Sequence, residues 1–190
     1  MSDSIAFGGL GYRRQGRNTV DFNAICDIYE NANALVPLQG DSGYVKISQS
    51  FTGNGGKITS AQFYFEKVGS PTGQAVIKIY AHQSTFGTTS EVVGSALATS
   101  NTFDVATQQT QNFLNIAFSG INQIRLNDGT HYVMTVEYSG GDVSNYVGVG
   151  IDTDSPTHPG NAGYYSTFWV LYSEIVMTFA INTLIKRLYI

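Results

Sequence analysis

The chain has 190 residues, enough for one domain with a substantial core and too few for two comfortable ones. Aromatic residues make up 13%, charged residues another 13%, and there are 21 glycines, a composition that favours strands and turns over helices. The formal charge of −4 argues against a nucleic-acid partner, which would need a basic face to displace counterions.

Basic residues are unevenly spread, with Arg13, Arg14, Arg17, Lys186 and Arg187 at the two ends and Lys46, Lys57, Lys67, Lys78 and Arg125 inside. The opening residues are therefore suited to electrostatic docking, and equally to being a solvated tail. Met1-Ser2-Asp3-Ser4 lacks the basic and apolar regions of a secretory signal, and no apolar run is long enough to span a bilayer. The expectation is a soluble product of a cytoplasm with no membrane partner.

Residues 1–43 read as an N-terminal arm. Phe7-Gly8-Gly9-Leu10-Gly11-Tyr12 combines flexible glycines with apolar anchors, so Phe7, Leu10 and Tyr12, with Arg13, Arg14 and Arg17, are the candidate assembly residues. The alternative is an arm that packs on its own body. Further on, Phe22, Ile25, Cys26 and Tyr29 fall at helical spacing with Thr19 as a candidate N-cap. Val20 and Phe22 also alternate with Asp21, so a short helix and a strand both fit. Cys26 is alone, which excludes an internal disulfide and leaves a small buried side chain or a catalytic thiol.

From Tyr44 the pattern becomes short strands separated by Gly, Pro, Asn and Ser. Val45, Ile47 and Phe51 alternate with Lys46, Ser48 and Ser50, and after a turn at Thr52-Gly53-Asn54-Gly55-Gly56 the set Ala61, Phe63 and Phe65 shares one face. Ala75, Ile77, Ile79 and Ala81 form the next alternating set, up to His82. Later strands are expected over residues 96–103, 111–118, 130–138, 146–151 and 174–181. Within 130–138 the inward set is Tyr132, Met134, Val136 and Tyr138, because a one-residue slip would bury Glu137. The sum is an all-β, antiparallel, jelly-roll-like β-sandwich of about eight strands over residues 44–181, followed by a tail at 182–190.

Several stretches in this order resemble the choice-of-anchor R domain family of bacterial and bacteriophage proteins. They are Gln49-Ser50-Phe51-Thr52-Gly53, Phe63-Tyr64-Phe65, Lys67 through Gly73, Lys78-Ile79-Tyr80-Ala81-His82, and Phe86-Gly87-Thr88 ahead of Ala96 through Ser100. Asp128 through Val133, Val136 through Asp142, Asp154 through Asn161, and Trp169 complete the set. The resemblance covers roughly residues 44–181 and omits the arm. It implies a sandwich used as an accessory or adhesion module, with no catalytic residues. A virion protein needs neither a secretion signal nor a wall anchor, so the implied role is a bacteriophage structural subunit: head decoration, tail adaptor or fibre attachment. Its expected location is the virion, and its expected partners are other virion proteins and copies of itself, as a trimer or ring.

Asp142, Asp152 and Asp154 are the candidate carboxylates for a glycosidase, but turn roles in their Gly-, Ser- and Pro-rich surroundings explain them more simply. Asp152 and Asp154 are also weak calcium candidates without the spacing of an EF-hand, and no cofactor is expected. His82, His131 and His158 are too scattered for a zinc site. Exposed aromatic rings can stack on sugars, which makes Tyr146, Tyr164, Tyr165 and Trp169 candidates for glycan or receptor contact, with Phe168 and Tyr172 nearby. Against this, sandwiches bury aromatics, and Trp169 suits the core or a sheet end. The alternative function is accordingly a carbohydrate or host-receptor binding adhesion module.

Overall fold

A computed structural model describes residues 19–188 as two antiparallel sheets packed face to face. The strands are β1 (Thr19–Tyr29), β2 (Ala34–Leu38), β3 (Lys46–Thr52), β4 (Lys57–Val68), β5 (Gln74–Gln83), β6 (Glu91–Thr99) and β7 (Phe103–Asp104). They continue as β8 (Asn112–Ala117), β9 (His131–Tyr138), β10 (Tyr146–Asp152), β11 (Ala162–Tyr165), β12 (Trp169–Tyr172), β13 (Val176–Met177) and β14 (Phe179–Leu188). The first sheet runs β1-β14-β4-β10-β13, with β2 added on β10 and β8 on β4. The second runs β12-β11-β3-β9-β5-β6, with β7 added on β5.

The core lies between the sheets and is built from the period-two sets. Ile47 and Phe51 of β3, Ile77 and Ile79 of β5, and Met134 and Val136 of β9 face Ala61, Phe63 and Phe65 of β4, Val149 of β10 and Ile181 of β14. Aromatic rings interlock there: Phe51 stacks on Tyr132 at 5.7 Å, and Phe63 meets Phe103 at 6.1 Å. The inward set expected for β9 is inward, and each member is buried. Val133 and Thr135 on its other face are buried as well, which alternation alone does not reveal. Loops fold back over that part of the second sheet: the Ser50 N–H donates to the Asn161 carbonyl at 3.0 Å, the Asn161 N–H donates to Ser50 Oγ at 2.9 Å, and Gly87 lies against the carbonyl of Pro159.

The structure departs from the expected arm. Residues 19–29 are a strand and not a helix, because β14 supplies a partner along their whole length, from Thr19 opposite Leu188 to Tyr29 opposite Phe179. A bulge between Ile25 and Asp27 inserts Cys26 as an extra residue and resets the alternation by one. That reset is what imitates helical spacing: Phe22 and Tyr29 fall out of phase for a regular strand. Residues 34–38 then pair with β10, so the sandwich takes in much of the segment assigned to the arm. Residues 182–188, expected as a tail, continue β14. The assembly candidates Phe7, Leu10, Tyr12, Arg13, Arg14 and Arg17 lie outside the described residues.

Among the described residues there are fourteen strands where about eight were expected. The segment 174–181 splits at Thr178, 96–103 divides into β6 and β7, and the aromatic stretch near Trp169 folds into the β11–β12 pair.

Candidate functional site

Cross-strand register places one row of functional side chains across the outer face of the second sheet. Trp169 of β12 pairs with Tyr165 of β11, Tyr165 with Lys46 of β3, Lys46 with Glu137 of β9, and Glu137 with Val76 of β5. Residues paired in this way project to the same side of an antiparallel sheet. Ile47, Val136 and Ile77, one position along each strand, are buried in the core, so the row faces outward.

Contacts along the row are continuous. The Trp169 and Tyr165 rings lie 5.2 Å apart with planes tilted by 55°. The Lys46 ammonium sits 5.3 Å above the Tyr165 ring, within reach of a cation–π attraction. The same ammonium is 3.3 Å from Glu137 Oε1, and Lys78 Nζ approaches Oε2 at 2.8 Å. Tyr80 and Thr135 donate their hydroxyls to Oε1 at 3.0 and 3.1 Å. Burial alone would raise the Glu137 carboxyl, but the Lys78 hydrogen bond and the two ammonium charges outweigh it and hold it below the usual carboxylate range. Burial, followed by the Glu137 charge, pushes the Tyr80 phenol up. Beside the ion pairs is a shallow depression of about 220 Å³ lined by Val45, Lys46, Gln74, Val76, Glu137 and Ser139.

The β11–β12 pair owes its position to a glycine. A Cβ on Gly163 would lie 2.7 Å from Leu171 Cδ2 and 2.9 Å from Ser48 Oγ, so only glycine lets β11 fit between its neighbours. The turn between the two strands projects Phe168, which is 66% exposed.

Of the aromatic candidates, Tyr165 and Trp169 come together on the open face. Trp169 lies on an edge strand and outside the core. Tyr164 points the other way, buried against Tyr44 and Tyr172 at 5.2 and 4.8 Å, where burial pushes its phenol up and its hydroxyl has no partner among the described residues. Tyr146 belongs to β10 in the other sheet. Neither can join the row. The residues that were missed are Lys46, Glu137, Lys78 and Tyr80. Their signal in the sequence was their place among the polar positions of alternating strands.

The carboxylate candidates are held by local structure. Asp142 accepts from the backbone N–H groups of Ser144 and Asn145 at 2.8 and 2.9 Å, a turn role. Asp152 is buried and accepts from Tyr29 Oη at 2.5 Å, Asn33 Nδ2 at 2.9 Å and the backbone N–H of Asp154 at 2.9 Å. Those bonds occupy both Asp152 oxygens, and its carboxyl is lowered first by the Tyr29 bond and then by the Asp154 N–H. Among the described residues, no group of three or more His, Cys, Asp or Glu side chains is arranged to hold a metal.

The histidines are also engaged. The His158 side chain is buried, with Nε2 3.0 Å from Asp27 Oδ1 and Nδ1 accepting from the Gly160 N–H at 2.9 Å, so Nε2 ties the 153–161 loop to β1 while Nδ1 fixes the ring within the loop. His82 and His131 lie 5.6 Å apart, and Phe86 stacks on His131 at 3.8 Å. Burial, with the nearby His131 second, lowers His82 below its usual value. The Cys26 thiol donates to the Thr52 carbonyl and is pushed up to about 12 by burial. A thiol so firmly protonated is a poor nucleophile at neutral pH.

No family model and no curated protein matches the chain. It is similar to a solved structure described as the cysteine protease and lectin-like domains of Cwp84, a surface layer associated protein of Clostridium difficile, at 13% identity and a TM-score of 0.40. The likeness covers 74% of this chain and 32% of that one. So distant a likeness carries no argument about function; the fold and the outer row stand on this molecule's own geometry.

Proposed function

We propose that this chain is a non-catalytic adhesion module that binds carbohydrate on the outer face of its second sheet. The observation that carries the reading is the row Trp169, Tyr165, Lys46 and Glu137, in which two half-buried aromatic rings lead directly into a fixed ion-pair network. An aromatic ring offers an apolar platform to the C–H face of a pyranose, while the Lys46 and Lys78 ammonium groups, held in place by Glu137, donate to its hydroxyls. The Glu137 network is held by several donors, so little freedom is lost when a ligand settles on it.

A glycan array probed with the full chain tests this. Binding to a defined set of glycans is expected, and Trp169→Ala should lose about 2 kcal/mol, roughly thirtyfold in Kd, with an unchanged melting temperature. Glu137→Gln should weaken binding in the same direction, and Tyr146→Ala should leave it unaltered. Absence of binding to any glycan, or binding indifferent to Trp169, rejects the proposal.

A second reading, a bacteriophage structural subunit anchored through its leading segment, is favoured by the apolar side chains that β1 exposes immediately after residues 1–18. The two readings are compatible, because an adhesin must also be attached. Particles assembled with a chain lacking residues 1–18 should fail to incorporate it under this second reading.

A further inference from the structure

β1 is the edge strand of the first sheet, and β14 is its sole strand partner among the described residues. Its exposed side chains are unusual for an edge: Val20 is 41%, Phe22 40% and Ile25 57% exposed. Natural edges are guarded by lysine, proline or covering segments. From Thr19 to Ile25 there is no proline or lysine, and the single charge, Asp21, lies 4.0 Å from Lys186 of its own ribbon.

The ribbon also extends past its support. β4 pairs with β14 only as far as Leu184, opposite Lys57, whereas β14 and β1 remain paired out to Leu188 and Thr19. Among the described residues the outer end is thus a two-stranded ribbon, an arrangement marginal in water without a third strand or an apolar cover. The Arg187 guanidinium lies 5.6 Å from the Phe22 ring centroid.

We propose that this edge is an interface between two copies of the chain, joined antiparallel through β1 about a two-fold axis. Two paired strands must share faces, so residue numbers across the axis sum to an even constant. Centring on Asp21 opposes two like charges. Centring on Asn23 sets Asp21 against Ile25. Centring on Phe22 sets Phe22 against its own copy, Val20 against Ala24, and Asp21 against Asn23. Every pair in that last register is matched in polarity, apart from Thr19 against Ile25 at its margin. The result is a four-stranded ribbon, β14-β1-β1-β14, that supplies the missing third strand to each ribbon. The occupant is a second copy because the edge is complementary to itself in this register.

Analytical ultracentrifugation of the full chain tests it. A dimer is expected, and Phe22→Lys should give monomers, whereas Ile121→Lys, at an exposed apolar site in the 120–122 turn that packs on β6 of the second sheet, should not. The sharper variants are at Asn23, which faces Asp21 of the other copy. Asn23→Lys should tighten the dimer and Asn23→Asp should loosen it, each by about tenfold, because each change acts twice across the axis. Monomers at every concentration, dimers indifferent to Phe22→Lys, or identical effects of the two Asn23 variants overturn the proposal. A dimer that appears only when residues 1–18 are removed also overturns it, because the edge then belongs to the chain's own leading segment. None of these results bears on sugar binding, which uses the opposite sheet.

Discussion

His82 and Glu137 show how one sheet face holds two kinds of titrating group in opposite states. Glu137 is kept charged by Lys78 and Lys46, and His82 is kept neutral, first by burial and then by His131. Because the folded value of His82 is lowered, the unfolded chain binds its proton more readily, and stability rises with pH through that window. The His82 contribution is complete above the ordinary histidine value of 6.5 and is lost as pH falls below it. Thermal melts at about pH 7.5 and about pH 5.5 should show a drop in melting temperature that is smaller in His82→Gln. An equal drop in both proteins would place the acid sensitivity elsewhere. Neither state could be inferred from sequence, since His82 and His131 are distant in the chain and meet through the pairing of β5 with β9.

At the scale of elements, the β11–β12 pair brings the aromatic rings to the ion pairs, and its seat depends on a missing side chain. Gly163→Ala must displace Leu171 or Ser48, and Ser48 is buried with its hydroxyl bonded to the Gly163 carbonyl. The expected cost is about 1–2 kcal/mol, with a loss of glycan affinity larger than the loss of stability implies, because the shift moves Tyr165 relative to Lys46. Calorimetric melts paired with glycan titration would check this, and affinity left intact would mean the row tolerates movement of its hairpin. Alternation placed β3, β4, β5 and β9 well, since each buries one face in the core. It failed at β1, where a bulge breaks the period, and at β11 and β12, which are too short to show one.

Across the whole molecule, the ends of the described chain are zipped together: β1 pairs with β14, and β14 carries Phe179 and Ile181 into the core. The boundary that matters for folding therefore falls near Thr19 and not near Tyr44. A chain lacking residues 1–18 should melt within a few degrees of the full chain. One lacking residues 1–29 should fail to fold, because it removes Tyr29 from the core and leaves β14 an unpaired central edge. Circular dichroism melts of the two truncations decide the point; cooperative melting of the shorter chain would show the first strand to be dispensable.

Composition and period-two alternation were sufficient by themselves to specify an all-β sandwich and the inward set of β9, because burial on one face is a local demand written into each strand. They also marked Tyr165 and Trp169 as aromatic candidates. Which rings face solvent, and which charges meet them, was decided only when strands distant in the chain came into register. Pairing across β12, β11, β3 and β9 is a long-range choice, set by the packing of the whole core and by a glycine that lets one strand fit closely against the next.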